Sequence, residues 1–159
     1  MRCNLIPALS GDFLFLTMTA TAGYSSTPLA KKLGIKEGFV LRLVNQPAYY
    51  FELLTGLPQN VTVTEDADKK KDIIHFFTTD AKELFTQLPL LKDDLKQAGM
   101  IWVSWPKKAS KVRTDVTEDL VRNFALRTGL VDVKVCAVDE VWSGLKLVIP
   151  VARRNKLLA

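Results

Sequence analysis

Apolar residues along the chain fall into short runs that alternate with stretches of helical spacing. "FVLRLVN", Phe39 to Asn45, is apolar at nearly every position, with Arg42 as the interruption, the pattern of a strand covered on both faces. "VTVT", Val61 to Thr64, and "IIHFFT", Ile73 to Thr78, are rich in the β-branched and aromatic side chains that a pleated sheet accommodates. "MIWVSW", Met100 to Trp105, is the most continuous strand pattern in the chain, and "LVDVKVCAV" and "LKLVIPV" follow it.

The intervening segments read as helices with recognisable ends. Thr27-Pro28 predicts an N-terminus and Gly34 a stop for "LAKKL", and Pro47 opens a short helix that runs through Leu54. Asp80 with Glu83 has capping-box spacing, and Leu84 and Leu88 continue the helical period until Pro89, which predicts a break. A second helix is then expected from Pro89 to Ala98, stopped by Gly99. Asp115 with Glu118 predicts another helix start, carrying Val116, Leu120, Val121 and Phe124 toward Gly129. Only "DEVWSG" separates the last two strands, so they predict a hairpin.

Strands alternating with helices, then a terminal antiparallel pair, predict an α/β fold: a small three-layer, doubly wound, mostly parallel sheet of the methyltransferase-like Rossmann type with a C-terminal antiparallel hairpin. One segment strains that expectation. Glu65 to Asp72 is a short link for a parallel crossover, so either the usual third strand is missing or Val61 to Thr64 pairs in another way.

Length and charge narrow the picture. A chain of 159 residues and 17.8 kDa supports one domain, expected over residues 24–152. Residues 1–23 have an apolar middle and an "ATAG" end like a secretory signal, but Pro7 and Gly11-Asp12 interrupt it. They read as a disordered or artefactual extension ahead of a start near Met18, and residues 153–159 as a basic tail. The apolar share of 48% and charged share of 25% are those of a soluble protein with no membrane span. The net charge of +5 favours anionic partners, yet no basic, aromatic-rich motif accompanies it, so nucleic acid is not the expected partner. Cys3 and Cys136 lack metal-ligand spacing, which points away from structural zinc and toward a reducing, cytoplasmic compartment.

Candidate chemistry begins at the turn after the first strand. Dinucleotide and methyl-donor sites need glycine there so that the backbone can approach the ligand, whereas this turn reads "VNQPAYY". No bound cofactor is therefore expected, with S-adenosylmethionine kept as the alternative. Glu65 stands 20 residues after Asn45, the distance of a ribose-binding carboxylate, and is a weak cofactor candidate beside its reading as part of a charged loop. His75, the single histidine, lies inside an apolar strand and reads as a hydrogen-bonded structural residue, and Cys136 as a small core residue. The carboxyl ends of parallel strands are where such sheets bind ligands. They gather Asn45, Asp80, Trp105, Lys107, Lys108, Asp139, Trp142 and Ser143 along one rim. There the tryptophans would form an apolar floor, the lysines would hold an anion, and Asp139 or Glu140 would pair with a lysine or a cation.

"GYSSTPLAKKLGIKEG", "WVSWPKK", "TDVTEDLVR" and "GLVDVKVCAVDEVWSGLK" together resemble the bacterial domain of unknown function numbered 3052, over Gly23 to about Val151. Members of that family usually begin shortly before a "YSGTPLAKKLGI" motif, and Ser26 stands here where they have glycine. The resemblance implies no activity, substrate or catalytic residues. The expectation is a non-catalytic domain that binds a small anionic ligand or a protein partner, the alternatives being a divergent S-adenosylmethionine-dependent or other transferase and a nucleic-acid-associated protein.

Overall fold

The computed structural model describes residues 27–154. The expected N-terminal extension and most of the expected basic tail lie outside these residues. Helix α1 (Leu29–Leu33) leads into β1 (Val40–Val44), α2 (Tyr50–Leu53), β2 (Thr62–Val63) and β3 (Lys71–Phe77). Then come α3 (Ala81–Asp93), β4 (Leu95–Pro106), α4 (Glu118–Arg127), β5 (Val131–Ala137) and β6 (Trp142–Val148).

Six strands form one sheet in the order β2-β1-β3-β4-β6-β5. The pairs β1/β2, β1/β3 and β3/β4 are parallel, while β6 runs antiparallel to both β4 and β5. The chain steps outward from β1 to β2, then returns past β1 to β3, so the strand order reverses between β1 and β3. The short link is explained by register: β2 pairs only with Val40 and Leu41, the first residues of β1. It ends low on the sheet, and residues 64–70 need not descend a full strand length to begin β3. Among the described residues β2 is the edge, and no further strand lies beyond it.

The core divides into two clusters. Leu84, Leu88 and Leu91 of α3 and Val121 and Ala125 of α4 pack with Ile74, Phe76, Ile101, Val103, Leu145 and Leu147. Leu29, Ala30 and Leu33 of α1 and Tyr50 of α2 pack with Leu41, Leu43, Ile73, Phe77 and Trp102. Side chains alternate between these clusters along β3 and β4, as the two-residue period requires.

Several local expectations hold. Gly34 closes α1 in the left-handed conformation, φ 82°, and its N–H bonds back to Lys31. Asp80 caps α3, its carboxylate accepting from the Lys82 N–H at 2.9 Å. Others are corrected. Pro89 does not break α3, which runs on to Asp93, and Leu95 to Ala98 belong to β4 rather than to a second helix. Leu88 and Leu91, both essentially buried, contribute about 1.5–3 kcal/mol each on the core side. That outweighs the roughly 3 kcal/mol cost of an internal proline. The cap of α4 is Thr117, whose hydroxyl accepts from the Leu120 N–H, while Asp115 accepts from Ala81 N–H at 2.8 Å and ties α3 to the preceding loop.

The foot of the sheet holds a buried ion pair. Lys71, with its side chain fully excluded from solvent, meets Asp94 at 3.0 Å, and Arg42 meets the same carboxylate at 2.9 Å. Removing one partner strands the other charge, so Asp94→Ala should lower unfolding stability by about 3–5 kcal/mol. Urea denaturation at pH 7 measures this, and a loss below about 1 kcal/mol would show that Lys71 is satisfied without Asp94.

Candidate functional site

The reversal of strand order sets the crevice at the carboxyl ends of β1 and β3. Asn45 occupies the turn after β1 in a left-handed conformation, φ 58°. Glycine would take this geometry freely; asparagine tolerates it better than most residues and brings a side chain with it. That side chain donates to the Phe77 carbonyl at 3.1 Å and to Glu83 Oε2 at 2.9 Å. Glu83 Oε1 in turn accepts from the Thr78 hydroxyl at 2.7 Å. Asn45, Glu83 and Thr78 therefore bridge β1, β3 and α3 across the crevice and leave a small hollow of about 300 Å³, closed at one side by Trp142.

The larger opening lies further along the rim. Trp105, Lys107, Lys108 and Ser143 line a cleft of about 700 Å³ together with Thr117, Glu118 and Asp119 at the start of α4. Between the two, Thr79, Asp80, Arg113, Thr114 and Asp115 surround a depression of about 430 Å³. Thr79 is shared with the first hollow and Thr114 with the large cleft, and the Thr114 hydroxyl donates to the Thr79 carbonyl at 2.7 Å. The expected rim residues other than Asp139 are thus distributed over three adjoining depressions rather than one pocket. Trp105 is buried, Lys107 is half-buried and Lys108 exposed.

Asp139 has a different role from the one expected of it. Its Oδ1 accepts from the N–H groups of Val141 and Trp142, both at 2.8 Å, and its Oδ2 from the Tyr49 hydroxyl at 2.6 Å. It shapes the β5–β6 turn and fastens it to the segment before α2, so pairing with a lysine gives way to three neutral donors. Glu65 is exposed just beyond β2, whose ladder ends opposite Leu41, three residues before β1 itself ends. Glu65 lines none of the three depressions.

His75 is fully buried in β3. Its Nδ1 pairs with the Tyr50 hydroxyl and its Nε2 with the Ser104 hydroxyl, each at 2.8 Å, and its ring stacks on Phe77. Burial pushes its pKa down to about 3 and pushes the Tyr50 hydroxyl up. The structural reading of His75 holds. Cys136 is half-buried and free, and burial raises its thiol pKa against the opposing pull of Lys32 and Lys134. Among the described residues no group of three or more His, Cys, Asp or Glu side chains gathers as a metal would require. No helix among them is long and apolar enough to cross a membrane.

Glu83 is the rim residue that sequence reasoning assigned only to a cap. Its carboxylate reaches Thr78 and Asn45 instead, and the capping-box spacing alone gave no sign of that choice. The family described as "Protein of unknown function (DUF3052)" matches residues 52–151. This chain belongs to that family. The match begins later than the "STPLAKKLG" motif but spans the rim from Thr79 to Ser143. No curated protein matches the chain.

Solved structures resemble the DUF3052 chain in fold. A SAM-dependent methyltransferase from Aquifex aeolicus aligns at TM-score 0.52 with 17% identity, over 77% of this chain and 88% of that one. The PH0226 protein from Pyrococcus horikoshii OT3 aligns at 0.53 with 14% identity, over 77% and 87%. The structure described as a DhpI-SAH complex aligns at 0.54 with 11% identity, over 76% and 81%. The fold is methyltransferase-like and Rossmann-like, an α/β arrangement with a mostly parallel sheet and a C-terminal antiparallel portion.

The low pKa of His75 has a consequence for stability. Because the folded value lies below the unfolded one, its contribution is complete above about pH 6.5 and is lost as the pH falls toward 3. The loss should approach about 1.4 kcal/mol per pH unit between pH 5.5 and 4. Urea titrations of wild type and His75→Gln at pH 7 and pH 4.5 should show a smaller acid loss in the variant; equal losses would mean that His75 takes up its proton while folded.

Proposed function

We propose that this member of DUF3052 is a non-catalytic binding domain on a degenerate methyltransferase-like frame, which takes a small anionic ligand, free or presented by a protein partner, at the carboxyl rim of its sheet. The observation that carries this reading is the Asn45 bridge. Where a methyl donor would need open backbone, a side chain is held by Glu83 and the Phe77 carbonyl, and Pro47 supplies no N–H. The two hydrophobic clusters, one against α1 and α2 and the other against α3 and α4, support the three-layer, doubly wound description.

Binding is assigned to the cleft of Trp105, Lys107, Lys108 and Ser143. Lysines there supply positive charge and a buried indole an apolar surface, while the carboxylates of Glu118 and Asp119 that also line the cleft are paired with Arg122. With it we propose a cytoplasmic location and no resident cofactor. The second reading, a divergent S-adenosylmethionine-dependent transferase, draws its support from the fold likeness, which is architectural.

Calorimetry separates the two. S-adenosylmethionine and S-adenosylhomocysteine should give no saturable heat, and micromolar affinity weakened by Asn45→Ala or Glu65→Ala would overturn the non-catalytic reading. A thermal-shift screen of carboxylate and monophosphate metabolites should find compounds whose stabilisation disappears in Lys107→Ala/Lys108→Ala. An unchanged response in that variant would remove the lysines from the site.

A further inference from the structure

A second concentration of positive charge lies on the sheet face that α1 and α2 share, away from the rim cleft. Register builds it. Trp102 of β4, Lys146 of β6 and Lys134 of β5 stand side by side across three strands. Side chains directly opposite share a face, so the two lysines flank one another, an arrangement that costs stability unless something neutralises it. The Lys134 Nζ sits 6.0 Å from the centre of the Trp102 ring, and so lies back across the Lys146 position toward β4.

Helix α1 and the loop behind it bring two more lysines. The Lys32 Nζ donates to the carbonyl of Ala137, the last residue of β5, at 3.1 Å. Lys36, exposed, is close enough for its charge to act on Lys146. Burial first, and then Lys134 and Lys36, push the Lys146 ammonium down from its ordinary value. None of these four ammonium groups belongs to an ion pair among the described residues.

Covering an indole with lysine stems is ordinary, and it accounts for Lys134. It does not account for Lys146 directly beside it, or for Lys32 at the end of β5 and Lys36 acting on Lys146, none of them in an ion pair among the described residues.

We propose that Lys32, Lys36, Lys134 and Lys146 form a binding site for a small oligophosphate, a group of about three linked phosphates. Lys134 and Lys146 stand one strand spacing apart, about 5 Å at the backbone, within reach of neighbouring phosphates of one chain. Compact ammonium groups on flexible stems suit successive phosphates more than they suit a single carboxylate. A nucleic-acid strand is disfavoured: Trp102 is fully buried and its N–H is taken by the Leu33 carbonyl at 3.1 Å, so it offers no stacking face.

Sodium tripolyphosphate is the probe, titrated by calorimetry into the full chain at about 50 and 200 mM salt. Saturable binding is expected that weakens about tenfold or more in Lys134→Met/Lys146→Met, whose side chains keep their apolar stems, and that is retained in Lys107→Ala/Lys108→Ala. The unliganded Met variant should also melt about 1–4 °C higher, because the repulsion is gone. Unaltered binding in the Met variant, no rise in its melting temperature, equal affinity for orthophosphate, or tighter binding of a single-stranded oligonucleotide would each overturn the proposal. Loss of binding in the rim variant instead would move the phosphate to the rim cleft.

Discussion

The middle strand of the sheet is buried on both faces, and it carries an imidazole. That single constraint organises much of the molecule. A buried ring with two nitrogens needs two partners or pays the cost of desolvation without return. Tyr50 and Ser104 provide them from α2 on one side and β4 on the other. Tyr50 thereby fixes the segment after β1, which includes the turn at Asn45. Its neighbour Tyr49 reaches Asp139 and holds the β5–β6 hairpin to the same segment. The rim is therefore a set of loops tied to each other through hydrogen bonds from neutral donors to carboxylates and carbonyls, anchored in the core, whereas the foot is tied by Lys71, Asp94 and Arg42.

How much of this was legible depended on range. Features decided within a few residues were readable: Gly34 as a stop, Asp80 as a cap, the burial of the "IIHFF" strand, and the final hairpin. Pro89 was misread because a local breaker competed with a tertiary gain, the burial of Leu88 and Leu91, that a window on the sequence does not weigh. Asp115 and Thr117 compete for the same helix start, and the loser, Asp115, found a partner on another helix.

The candidate site was legible as a list and not as a shape. Strand ends name the residues that reach a rim, but whether they converge depends on loop paths, and here they spread over three depressions. Asp139 reaches Tyr49 and Glu83 reaches Asn45, both distant in sequence, so these structural duties were hidden. The lysine group on the sheet face was more deeply hidden: Lys134 and Lys146 become neighbours only through the antiparallel register, and their spacing in the chain carries no sign of it.

The abbreviated edge strand β2 bears on how this architecture changes size. The loop from residues 64–70 is exposed or nearly so and charged; it is held by its own turn bonds at Asp66 and by ties to the sheet foot, where the buried Lys71 ammonium donates to the Asp66 carbonyl. Beside it the outer edge of β2 is unpaired among the described residues. An additional strand and helix spliced in beyond Asp66 would find backbone donors and acceptors waiting along β2, provided that the Asp66 carbonyl kept its hold on Lys71. Such an insertion would extend the sheet at the edge opposite the β5–β6 hairpin.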